Sequence, residues 1–137
     1  GVVQEDDEDD QRIVLGQPDP LAEWSLLERA ISSELLRVEC LRTLDRLRFR
    51  AGLDDRTVAE RRGAMLETID AIDLVALDGN ILARAAEPFP TLVRTLDALH
   101  LASALIIREE VPSIAFITHD VTLGLAAAAT GFDVRGV

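Results

Sequence analysis

Asp97 and His100 stand three residues apart near the head of the apolar run Thr95–Ala104. An ionised aspartate among apolar neighbours is costly to bury unless a cation or several donors compensate it. Glu39 sits in a comparable setting within Leu35–Leu41, and Asp120 follows the apolar run Ile114–Thr118. Three carboxylates, remote in sequence and each at the edge of a hydrophobic element, suggest a divalent-metal site. If they meet, their repulsion must be relieved by protonation or by a cation. An all-oxygen ligand set suits Mg²⁺ or Mn²⁺. Such an ion activates water and stabilises in-line attack on a phosphodiester. Thr118 adds a hydroxyl that either donates to a ligand or merely ends the strand.

Each residue also has an ordinary reading. Glu39 could pair with Arg42 or Arg46 on a half-buried helix face. Asp120 could serve only as the N-cap of the helix that follows. His100 could bond to a carbonyl or to Asp97. Asp97 is hardest to dismiss, because Leu96, Ala98, Leu99 and Leu101 around it are apolar. Other chemistries fit less well. Cys40, His100 and His119 lack the close pair spacing of zinc ligands. Gly16 and Gly79 stand alone, with no glycine-rich phosphate loop. Ser103, His100 and Asp97 share one helix without a nucleophile elbow, which argues against a serine triad.

The elements that must carry these residues alternate between helices and short apolar strands. Arg12–Gly16 is an apolar segment closed by Gly16, Pro18 and Pro20, and a helix is expected over 21–29 with Trp24 and Leu27 inward. Ser32 or Ser33 caps a helix running to about Arg50, with Leu36, Cys40, Leu44 and Leu47 as its apolar stripe. A second helix starts near Asp54-Asp55 and ends near Ile72, with Thr57 and Glu60 at capping-box spacing or an aspartate as the cap. Residues 73–77 read as a buried strand, 80–86 as a short helix, and 114–118 as a second buried strand. The Asp97 helix extends to about Glu110. An alanine-rich helix over 121–130 and a strand over 132–134 complete the series. This alternation predicts an α/β fold, a parallel sheet covered by helices.

With 137 residues and 48% apolar composition, the chain is long enough for one domain with a sizeable core. The division expected is an acidic, disordered or atypical segment at 1–11 and a globular domain at 12–137. A single cysteine excludes an intrachain disulfide. No apolar run approaches a membrane span and no signal peptide is evident, so a soluble cytoplasmic protein without membrane contact is expected. The net charge of −11 falls to −5 once the six acids of Glu5–Asp10 are set aside. All 14 bases are arginine. Arg42, Arg46, Arg48 and Arg50 form one cluster and Arg61 and Arg62 another, a pattern that fits either solvated helix faces or a nucleic-acid contact.

The order of these stretches resembles the PIN-domain ribonucleases, in particular the VapC-type toxins of bacterial toxin–antitoxin pairs. The matching residues are Ser32–Glu39, Leu96–Ala104 and Ile117–Asp120, and the likeness extends over roughly 12–137. The resemblance implies a three-layer α/β/α sandwich with a central parallel sheet and Mg²⁺- or Mn²⁺-dependent endoribonuclease activity on transfer or ribosomal RNA. It also implies catalysis by Glu39, Asp97 and Asp120 with Thr118 beside them, neutralisation by a cognate antitoxin, and a homodimer.

One departure concerns the start. The family's first strand ends in an aspartate, the fourth acid, and counting back from Gly16-Gln17-Pro18 puts Asp6 there as a metal ligand. Its neighbours are acids, which cannot occupy the centre of a sheet. The first strand is therefore expected to be missing or disordered. A second function follows from that, an impaired PIN-like module that binds protein or RNA without cutting. A small-metabolite hydrolase is a weaker third, since no cofactor loop is present.

Overall fold

The computed structural model describes residues 13–15, as backbone, and residues 30–137. Five parallel strands form one sheet: β1 (Ile13–Leu15), β2 (Ala30–Ser33), β3 (Asp73–Val75), β4 (Ala115–Ile117) and β5 (Val134–Arg135). Five helices are described: α1 (Leu35–Ala51), α2 (Asp55–Asp70), α3 (Gly79–Ala85), α4 (Thr95–Glu110) and α5 (Val121–Ala129). The expected helix over 21–29, with Trp24 and Leu27, lies outside the described residues, as does the segment 1–11.

The strand order is β3-β2-β1-β4-β5. The chain builds outward from β1 to β3, then returns to place β4 on the other side of β1. Such a reversal leaves a crevice outside the carboxyl ends of the two central strands, where α/β proteins bind their ligands. The central place is filled, which corrects the expectation of a missing first strand. Ile13–Leu15, from the apolar Arg12–Gly16 segment, pairs with both neighbours, Ile13 lying opposite Ala30 and Ala115 and Leu15 opposite Ile117.

Successive residues of a strand point to opposite faces of the sheet, and the core divides accordingly. Ile31 and Phe116 pack on one face with Leu101, Ala104 and Ile107 of α4 and Leu123, Ala126 and Ala127 of α5. Ala30, with Ile117 against it, packs on the other with Leu36 and Cys40 of α1 and Ile69 of α2. This is the α/β/α sandwich. No described helix is long and apolar enough to cross a membrane.

Three expectations change. Ser32 and Ser33 belong to the fully buried β2 rather than to a helix cap, although the Ser33 hydroxyl does accept from the Leu35 N–H at 3.0 Å. Residues 73–75 form an edge strand with Asp73 and Leu74 exposed, because among the described residues no further strand lies beside β3. Leu47, assigned to the buried stripe, is exposed, while Leu36, Cys40 and Leu44 are buried. Of the caps considered for α2, Asp54 is the one used, its side chain accepting from the Thr57 N–H at 2.7 Å.

Candidate active site

The acids reach the carboxyl ends of the strands from helix beginnings. α1 starts directly after β2, so Glu39 lies in its second turn. Asp97 is the third residue of α4, and Asp120 is the N-cap of α5, three residues beyond β4. Helix N-termini stabilise negative charge, which makes them suitable mounts for carboxylates.

Asp120 performs the ordinary task weighed for it, its Oδ1 accepting from the N–H groups of Thr122 and Leu123 at 2.9 and 3.2 Å. Thr118, 1% exposed, holds the turn from behind, its hydroxyl accepting from the Asp120 N–H at 3.0 Å. The backbone of Thr118 is fixed in turn by its own N–H, which donates to Arg135 O at 3.0 Å. Gly136, with φ +99°, lies so close that a Cβ there would stand 2.7 Å from Thr118 O. His119 Nδ1 donates to Gly136 O at 2.7 Å. Nothing in the sequence marks Gly136 except that a glycine follows a strand; its role depends on the β4–β5 pairing.

Asp120 nonetheless acts beyond its cap. The carboxyl of Asp97 is held above the usual aspartate range, first by burial, then by the charge of Asp120, and also by that of Glu39, while His100 and Arg94 act in the opposite sense. Asp97, 58 residues from Glu39 and 23 from Asp120 in sequence, therefore feels the charge of both in the fold. Burial and neighbouring charges, rather than hydrogen bonds, set the protonation of Asp97.

Glu39 does not pair with Arg42 or Arg46. Those arginines bond to Asp45 at 2.9 Å and to the Thr43 hydroxyl at 3.0 Å. Glu39 Oε1 instead accepts from Nε2 of His100, which is buried on α4. This contact replaces both partners considered for His100, a carbonyl and Asp97. Ser103 donates to Leu99 O at 2.8 Å, one turn back along its own helix, and not to the imidazole as a triad would need. Cys40, next to Glu39, has its thiol pushed up to about 11 by burial and by the Glu39 charge.

Whether these residues suit a divalent ion can be tested on their geometry. Among the described residues no three His, Cys, Asp or Glu side chains stand close enough to ligate one ion together. Mg²⁺, however, keeps several waters and is usually held by one or two carboxylates rather than a complete protein cage. The donors are hard oxygens, and the mutual repulsion around Asp97 is what a cation removes, so the chemistry fits. Asp6 lies outside the described residues, and so does whatever follows Leu15 at the end of β1.

No curated protein and no solved structure shows a match to the chain. The sequence profile of the PIN domain does match, over residues 12–123, which takes in β1 through the start of α5 and all of Thr118, Glu39, Asp97 and Asp120. With most of the chain covered by that profile and a parallel sheet in the order β3-β2-β1-β4-β5, the protein belongs to the PIN domain family, whose members are in general nucleases.

Proposed function

We propose that this PIN domain is a Mg²⁺- or Mn²⁺-dependent endoribonuclease toxin that hydrolyses RNA phosphodiester bonds and is neutralised by a cognate antitoxin. The observation carrying the nuclease reading is the raised carboxyl of Asp97, pushed up by Asp120 and Glu39 as well as by burial. A pocket of like charge is unfavourable by itself and becomes favourable once a divalent cation enters. In this reading Asp97 and Asp120 hold the cation, Glu39 holds the attacking water, and Thr118 secures the turn that presents Asp120. When bound, the ion supplies charge neutralisation at the scissile phosphate and an activated water.

RNA of the transfer or ribosomal class is the proposed substrate. Arg42, Arg46 and Arg50 on α1 and Arg61 and Arg62 on α2 are exposed, and such guanidinium groups suit a phosphate backbone. The negative charge of Asp120 and Glu39 felt at Asp97 suits an antitoxin that lays a basic side chain beside these carboxylates. Action in the cytoplasm and a homodimeric state complete the proposal.

The test is RNA cleavage by the purified chain with Mg²⁺ or Mn²⁺. Cleavage abolished by EDTA and by Asp97→Asn supports the reading. A second reading, a PIN-like module that binds without cutting, is favoured by one observation: no three potential ligands are assembled among the described residues. A chain that binds RNA or a partner protein but cuts neither with Mg²⁺ nor with Mn²⁺ decides for that module.

A further inference from the structure

His100 is 1% exposed and sits one turn beyond Asp97 on the same side of α4. Its neighbours on the helix, Leu101, Ala102 and Ala104, are buried and apolar, so packing alone would favour an apolar residue there. A buried imidazole needs partners, and this one has Glu39, 61 residues away in sequence. Its other nitrogen, Nδ1, is buried and has no hydrogen-bond partner among the described residues. The bond to Glu39 is thus what the structure shows the imidazole doing.

An ionised carboxylate only accepts hydrogen bonds. The proton of a neutral His100 must therefore lie on Nε2, with Nδ1 left as a bare acceptor. The opposite tautomer would set a lone pair against Glu39 Oε1 and leave a buried N–H unsatisfied. Glu39 belongs to α1, which covers one face of the sheet, and His100 to α4, which covers the other. Their bond crosses between the layers at the level of the acids. α4 thereby places two carboxylates, Asp97 directly and Glu39 through the imidazole, and leaves Glu39 Oε2 as the oxygen free of that bond.

We propose that His100 is a positioning residue whose Nε2–H fixes the Glu39 carboxylate at the divalent-cation site, an inference that rests on the metal-dependent nuclease reading above. Partners that orient the groups around a metal commonly change its affinity by about 10- to 100-fold when removed.

Two measurements on the full chain test it. Long-range ¹H–¹⁵N spectra of the imidazoles report the tautomer without any substitution at position 100. The expected pattern is a protonated Nε2 and a bare Nδ1 for His100, altered by Glu39→Gln. The opposite tautomer, or spectra indifferent to Glu39→Gln, overturns the proposal. Mn²⁺ affinity, followed by the electron paramagnetic resonance of the free ion, is then compared among variants. His100→Met keeps volume without the donor and is expected to weaken Mn²⁺ binding by about 10-fold or more. His100→Gln, whose amide can donate from a similar position, is expected to stay within about 3-fold of the wild type, a rescue that a purely space-filling role would not produce. Wild-type affinity retained in a cooperatively melting His100→Met overturns the positioning role alone. A wild-type chain that binds no Mn²⁺ overturns the metal-dependent reading and this inference with it.

Discussion

Replacing Asp97 by asparagine should make the metal-free protein more stable while removing its activity. The substitution keeps the shape of the side chain and deletes one charge from a group of three. Each like-charge pairing of half-exposed carboxylates is worth about 0.5 kcal/mol, and Asp97 faces two, Asp120 and Glu39. The first turn of α4 returns a few tenths of a kcal/mol by favouring negative charge there. The net relief, with burial added, is about 0.5–1 kcal/mol, or about 2–4 °C in Tm for a domain of this size. The sign follows from linkage. The folded-state pKa of Asp97 is raised, so its contribution to stability is present below the unfolded aspartate value and is lost as pH rises through the folded one. The advantage of Asp97→Asn in EDTA should therefore be full at pH 7–8 and vanish on acidification to about pH 3–4. Excess Mn²⁺ should reverse the order, since a ligand at about 100 times its Kd stabilises the wild type by about 2.7 kcal/mol and the variant hardly at all. Thermal melts followed by circular dichroism at low salt, with EDTA or Mn²⁺, measure all of this. A Tm for Asp97→Asn below the wild type in EDTA at pH 7 would mean that the charge at 97 is stabilised, not opposed, by its surroundings.

Three further outcomes are expected. Asp120 both caps α5 and charges the site, and these roles separate: Asp120→Asn should keep the Tm, since asparagine caps equally well, whereas Asp120→Ala should cost about 1 kcal/mol, and RNA cleavage assays should find both inactive. The Cys40 thiol, buried and pushed up to about 11, should resist iodoacetamide at pH 8 in the folded protein and react on denaturation, as read by mass spectrometry. Gly136→Ala should lower stability by about 1–3 kcal/mol in urea titrations through its positive φ and its approach to Thr118 O.

The candidate site residues stand out in the sequence because they lie where the pattern of the chain changes. Asp97 interrupts an apolar helix, and Asp120 follows an apolar strand with cap geometry. Those boundaries depend on local signals, and α4 and β4 lie within a residue of where those signals put them. Ser32 and Ser33 have the sequence signature of caps, since they precede a helical stripe; only the pairing of β2 with β1 and β3 reveals a buried strand. The expected final strand over 132–134 shifts to Val134–Arg135, and Phe132 before it packs its ring at a tilt against Phe116, with centroids 5.7 Å apart. Arg12–Gly16 stands out as apolar, but the three residues Ile13–Leu15 are too few to carry a periodicity that marks a central strand. The Glu39–His100 bond was not legible at all. Both residues stood out, but each had nearer candidates in sequence, and a contact across 61 positions is a property of the sheet order.

In the proposed nuclease Asp97 and Asp120 share a cation. A crystal structure grown with Mn²⁺, with anomalous data collected at the manganese edge, would locate that ion. One peak is expected within about 2.0–2.6 Å of a carboxylate oxygen from each of these two residues. Manganese bound elsewhere, with Asp97 and Asp120 turned to separate partners, would contradict it.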